Sequence, residues 1–216
     1  MPNMSERMRA LLMLLCLLCA AAVPAGAQQP LSETDGRLLL RIARDTLVEF
    51  LNRQTLPPLS RYGVSGPLQE KCGVFVTLKD RRTRDLRGCI GYIVGHKELA
   101  AAVADCTVFA ATRDLRFQPM RAGEEQTVVI EISVLSPPRR ITGIDEIRVG
   151  THGLLLTQGM KSGVLLPQVP VEQHWGREEF LQAVCRKADL PDRAWEHGAV
   201  LSVFTAQIFS EQAAAH

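Results

Sequence analysis

Cys72-Gly73-Val74-Phe75-Val76-Thr77-Leu78 and Leu86-Arg87-Gly88-Cys89-Ile90-Gly91-Tyr92 are the two stretches whose reading decides the fold. In the first, Cys72, Val74, Val76 and Leu78 fall at every second position, the period of a strand with one buried face. Lys79 to Asp85 is polar and supplies a turn, so the two stretches read as a β-hairpin. Alternation through the second places Leu86, Gly88, Ile90 and Tyr92 toward the core and Arg87, Cys89 and Gly91 on the opposite face.

Outward from the hairpin, helices and strands come in mixed order. Ser32, with Asp35 three residues on, is a capping-box variant that opens a helix with Leu39, Ile42, Ala43, Leu47, Phe50 and Leu51 on one face, stopping before Pro57-Pro58. Arg61 to Pro67 is loop-like. Glu98 to Arg113 is an alanine-rich helix with Leu99, Ala102, Val103, Cys106, Phe109 and Ala110 as its stripe. Thr127 to Leu135 is β-branched and reads as a strand stopped by Pro137-Pro138. Ile144 to Val149 and Leu154 to Thr157 are short strand candidates, and Gly159 and Gly163 bound a turn before Val164-Leu165-Leu166-Pro167. Arg177 to Ala188 is a helix striped by Phe180, Leu181, Val184, Cys185 and Ala188, and Val200 to Phe209 closes the chain as one strand. This order predicts an α+β fold, of mixed or antiparallel sheet with packed helices, rather than a regularly alternating parallel sheet.

The 216 residues, 46% apolar and 22% charged, exclude disorder and coiled coil. A net charge of +2 is too balanced to steer nucleic acid, and the few aromatic residues leave little surface for stacking bases. Residues 1–27 read as a secretory leader: Arg7 and Arg9, an apolar run from Ala10 to Val23, Pro24, then Ala25-Gly26-Ala27 for a peptidase. The run is shorter than the roughly 20 residues of a spanning helix, and Leu18 before Cys19 does not fit a lipoprotein signal. The expectation is export, periplasmic or secreted, with cleavage near Ala27, no membrane segment afterwards, and one domain of two subdomains over residues 28–216. Cys16 and Cys19 leave with the leader. Cys72, Cys89, Cys106 and Cys185 remain, and in an oxidising compartment they allow two disulfides in three connectivities. No C-x-x-C pair or zinc-ligand spacing is present, so neither a metal nor a cofactor is expected.

Cys89 is the candidate nucleophile. Its flanking glycines leave room for a ligand or for close packing of the chain itself, and Arg87 on the same strand face is the candidate that lowers its pKa. Cys72, Cys106 and Cys185 lie on apolar stripes and read as core. No histidine among His96, His152, His174 and His197 has a spacing that ties it to Cys89, and strand alternation gives Glu131 a solvated position. Asp114 and Arg116, just after the alanine-rich helix, form an ion pair beside Cys89 or cap the helix end. The Val164 to Pro170 segment either lines a groove or is a core strand leaving its sheet.

Taken together, these motifs resemble the AMMECR domain family. The likeness runs in order through Gly73 to Leu78, Leu86 to Gly91, Arg116-Phe117-Gln118-Pro119, Ile130 to Leu135 and Leu165-Leu166-Pro167-Gln168-Val169. It continues through Trp175, Phe180-Leu181, Lys187 to Pro191, Trp195 and Phe204 to Glu211, and covers residues 33 to 211. The resemblance implies two subdomains around a shared groove centred on Leu86 to Gly91. It also implies a place as protein A of the AmmeMemoRadiSam system, beside a Memo-type protein and a radical S-adenosylmethionine enzyme, but no known reaction. Leu115 stands where the family usually has Pro, and Asp189 where it has Gly. A radical S-adenosylmethionine partner belongs to the reducing cytosol, so either the leader is not one or this member has left the system.

Two functions follow as expectations. One is an accessory or interaction module whose docking surface comprises Leu86, Gly88, Ile90, Gly91, Asp114, Arg116, Phe117 and Pro167. The other is a thiol-dependent enzyme or group carrier with Cys89 as nucleophile.

Overall fold

The computed structural model describes residues 30–211; the leader expected at residues 1–27 lies outside them. Ser32 caps helix α1 (Glu33–Arg53) with both halves of the capping box made, its hydroxyl accepting from the Asp35 N–H. The apolar face of α1 packs against α2 (Leu99–Thr112) and strand β3 (Val128–Leu135). Beneath the helices, β1 (Gly73–Asp80), β2 (Leu86–Tyr92), β3 and β8 (Ala206–Ser210) form an antiparallel sheet in the order β2-β1-β3-β8. Val74, Val76, Leu78, Ile130 and Ile132 are wholly buried between this sheet and the helices. Each such aliphatic side chain contributes about 1.5–3 kcal/mol relative to exposure.

A second antiparallel sheet follows the order β4-β7-β5-β6, from β4 (Arg139–Arg140), β5 (Gly153–Gln158), β6 (Lys161–Leu165) and β7 (Val200–Phe204). It carries α4 (Arg177–Lys187), whose Phe180, Leu181, Val184 and Cys185 are buried with Leu154 and Leu156. The short α3 (Gln168–Glu172) follows β6. Residues 139–204 are thus inserted between β3 and β8, neighbours in the first sheet.

Three strand expectations are corrected. Val200 to Phe209 is two strands in different sheets, broken at Thr205. There the Ser136 N–H donates to the Thr205 carbonyl (3.0 Å) and the Thr205 N–H to Ser136 Oγ (2.9 Å), pinning both crossings between sheets. Ile144 to Glu146 is a 3-10 turn, not a strand. Gly163 lies inside β6 rather than in a turn, because a Cβ there would stand 2.6 Å from the Val184 carbonyl oxygen and the Ala188 nitrogen of the overlying helix end.

Candidate functional site

The first sheet has its helices on one face only. On the other, Phe75, Thr77 and Lys79 of β1, Cys89 and Leu86 of β2 and Glu131 of β3 form one side of a groove of about 770 Å³. Val164, Leu165 and Leu166, with residues of α3 and Lys187 at the end of α4, form the other. Polar contacts tie the two sides together: Gln168 Nε2 donates to Ser133 Oγ at 3.1 Å, and Lys79, paired with Glu131 on its own side (3.1 Å), reaches Glu172 across the groove (3.7 Å). The volume lies within the usual range for ligand sites.

Cys89 is half-buried on the groove floor, cross-strand from Thr77, whose hydroxyl is placed to donate to its sulfur at 3.3 Å. Its backbone N–H points out of the sheet edge and donates to Asp114 Oδ2 at 2.8 Å. Asp114 is 7% exposed and also accepts a two-point contact from Arg116, Nε to Oδ1 at 2.9 Å and Nη2 to Oδ2 at 2.7 Å. The Arg116 hydrogen bonds, with the Cys89 N–H, hold the Asp114 carboxyl down to about 2 against the opposing effect of its burial. The Cys89 thiol moves the other way. Burial pushes it up, the Thr77 hydroxyl and the Arg116 and Lys187 charges pull it down, and Asp114 adds to the burial effect; the net shift is upward.

Arg87 does not reach the thiol. A β-bulge opposite Leu78 and Lys79 pairs Leu78 with Gly88 and Lys79 with Leu86, leaving Arg87 as the extra residue. Its guanidinium turns to Glu124 at 3.1 Å. The same bulge brings Leu86 to the groove beside Cys89, not to the core face that plain alternation predicts. The cations bearing on the thiol are instead Arg116 and Lys187.

The glycines of the motif are filled by the chain itself. A Cβ on Gly88 would stand 2.2 Å from the Ala110 carbonyl oxygen of α2, and one on Gly91 would stand 2.3 Å from the Phe75 ring lying over it. Ile90 packs toward the first core. Phe117 lies beneath the Arg116 guanidinium, 5.5 Å from ring centre to Cζ. Pro167 is buried and lines a neighbouring cleft with Gly150, Val171 and Ile208. Of the sequence-derived set, Leu86, Cys89 and Arg116 therefore face the groove, with Asp114 immediately behind Cys89.

Glu131 is not solvated; it is part of the floor, its side chain 13% exposed and paired with Lys79. Sequence reading also missed Phe75, Thr77, Lys79 and Lys187, although the alternation that sends Val74, Val76 and Leu78 inward already turns Phe75, Thr77 and Lys79 outward. Among the described residues no histidine lines the groove. His96 stacks edge-on against Tyr92 (4.2 Å), and His152 Nδ1 accepts the Arg148 N–H at 3.2 Å. Cys106 and Cys185 are buried free thiols, Cys106 pushed up to about 12 by burial. No helix among the described residues is long and apolar enough to cross a membrane.

Comparison with known proteins gives one consistent result. The family model described as AMMECR1 matches residues 40–209. A protein of Methanopyrus kandleri is 40% identical over 196 residues, 85% of this chain and 92% of its own. One of Methanosarcina barkeri is 41% identical over 189 residues, 84% and 93% of the two chains. The crystal structure of an uncharacterised protein from Pyrococcus horikoshii matches with a TM-score of 0.78 at 39% identity, over 82% of this chain and 91% of that one.

Proposed function

The chain belongs to the AMMECR1 family, and from that premise we propose that it is an interaction module whose groove between the two sheets receives a segment of a partner protein. The observation that carries this reading is the state of Cys89: burial raises the thiol, its side-chain hydrogen bond is to the Thr77 hydroxyl, and no histidine among the described residues lines the groove to take its proton. A nucleophilic cysteine needs the opposite, a lowered pKa or an adjacent base. Apolar walls facing each other across a polar floor suit recognition of a chain segment.

The family resemblance makes a Memo-type protein the first partner to test. The leader-like pattern of residues 1–27 favours export, in which case the partner is met outside the cytosol and away from any radical S-adenosylmethionine enzyme. The alternative, a thiol-dependent enzyme or group carrier, draws support from Cys89 facing the groove within the field of Arg116 and Lys187.

Cys89→Ser separates the two readings. As a docking surface, the variant folds normally and binds an immobilised Memo-type protein within about twofold of wild type, whereas Val169→Glu, which sets a charge on the groove wall, weakens binding more than tenfold. Loss of binding in Cys89→Ser with unchanged thermal unfolding would contradict the docking reading. So would full binding by Val169→Glu.

A further inference from the structure

The groove's charges are not evenly answered. Lys79 is neutralised from both sides by Glu131 and Glu172. Arg84, Arg116 and Lys187 reach the same groove from three separate elements: the β1–β2 turn, the segment after α2, and the last residue of α4. Arg84 and Lys187 have no ion-pair partner among the described residues. Arg116 uses Nε and Nη2 on Asp114 and leaves its side chain 52% exposed. A basic last turn is the ordinary complement of a helix C-terminus, which accounts for Lys187 alone. The Asp114 pair accounts for the position of Arg116 but leaves half of its side chain open to the groove, and Arg84 has no such anchor; like charges gathered at one opening repel unless something negative lies between them. Apolar side chains line the same groove from both sides, Phe75 and Leu86 from the first sheet and Val164, Leu165 and Val169 from across it.

We infer that the occupant of the groove is an extended peptide segment that alternates apolar and acidic side chains, its apolar residues against the two walls and its carboxylates among Arg84, Arg116 and Lys187. This rests on the docking reading above and adds the chemistry of the partner. An extended chain turns successive side chains to opposite sides, which suits a groove that offers apolar lining together with exposed cations. The carboxylates sit at a solvent-facing rim, so they contribute on-rate and selectivity, and their effect is screened by salt.

The test is fluorescence anisotropy of the purified protein with short dye-labelled peptides alternating Leu with Glu, Gln or Lys. The Leu-Glu peptide is expected to bind at least about tenfold tighter than the Leu-Gln peptide, with the difference lost between about 50 and 500 mM salt, and the Leu-Lys peptide not to bind. The exposed pair Arg84→Ser/Lys187→Ser weakens the Leu-Glu peptide about tenfold, each rim charge supplying up to about fivefold, and leaves the Leu-Gln peptide unchanged. Equal binding of the Glu and Gln peptides, a salt-independent affinity, or no effect of the double variant overturns the acidic occupant. If these failures come with loss of both peptides in Val169→Glu, the docking groove stands and only its charge preference falls. If Val169→Glu leaves peptide binding intact, the peptides sit elsewhere and the docking reading falls too. Binding of no peptide overturns the acidic occupant, and the docking reading is then judged on Val169→Glu against the Memo-type protein.

Discussion

Replacing Asp114 with alanine is expected to cost about 3 kcal/mol of folding stability, the largest effect of any single polar change at the groove. The carboxylate is the hub of four hydrogen bonds, from the Cys89 N–H, the Arg116 N–H and two guanidinium nitrogens. Removing it leaves the outward N–H of Cys89 without its partner at the sheet edge and Arg116 without its counter-charge, which is the costly way to break a buried polar pair. The pH dependence separates charge from shape. A carboxyl held at about 2 in the folded chain, against an ordinary value near 3.8, stabilises above the unfolded pKa and loses that contribution as pH falls through about 4 toward 2. For a group this deeply buried the contribution is about 2 kcal/mol at neutral pH. Asp114→Asn keeps an acceptor for Cys89 and has no carboxyl to titrate. Urea unfolding of both proteins between about pH 6 and 2.5 should show wild type losing more stability than the Asn variant by about this amount. Parallel acid limbs would place the stabilisation elsewhere.

Gly88→Ala is expected to destabilise by about 3 kcal/mol or more, although alanine is the smallest change available. The position demands space rather than a left-handed backbone: the added carbon would stand 2.2 Å from the Ala110 carbonyl oxygen, and that is backbone, which no rotamer change can move aside. Either β2 or the last turn of α2 must shift. The loop carrying Asp114 follows that turn directly, with the Met120 N–H bonded back to the Ala111 carbonyl, so the shift also pulls Asp114 from Cys89. Thermal unfolding gives the size of the loss, and hydrogen exchange at the Cys89 amide reports whether the Asp114 contact goes with it. Gly63→Ala is the contrast. That glycine has φ +60° and nothing within 4 Å of the added carbon, so the cost is only the left-handed strain of about 1 kcal/mol. Equal losses in the two variants would mean that Gly88 is not a packing position.

Much of this architecture was legible in the sequence because period carries burial. The stripes of α1 and α4, the capping box at Ser32 and the inward set Val74, Val76 and Leu78 all follow from spacing alone. What failed has a common cause: contacts between distant residues override the local period. The β-bulge removes Arg87 from the Cys89 face, yet no residue type at Arg87 announces it; it exists because β1 and β2 fall out of step beyond Leu78. Thr205 suits a strand as well as its neighbours do, and only its pairing with Ser136, far back in the chain, breaks Val200 to Phe209 between two sheets. Glu131 was misplaced for a similar reason. Its outward direction was readable, but the second sheet that covers that direction was not. Asp189 shows the reverse, a residue out of keeping with the glycine that the resemblance implies and that the structure accommodates: its φ is +54°, a conformation that glycine adopts freely and Asp tolerates, and Lys161 pairs with its carboxylate at 2.7 Å. For Leu115, fully exposed beside Arg116, the structure offers no packing reason.

The central claim is that the groove binds while its cysteine stays a neutral thiol, and the alkylation rate of Cys89 against pH tests it most directly. Peptide-mapped alkylation of the purified protein should find Cys89 slower than a free thiol at neutral pH, its rate still climbing beyond pH 9, because burial holds the thiol protonated. Thr77→Val, which removes the hydroxyl donor, should push that profile to higher pH still. A Cys89 that reacts fast and levels off below pH 7.5 would contradict the account and restore the thiolate as the working group of the groove.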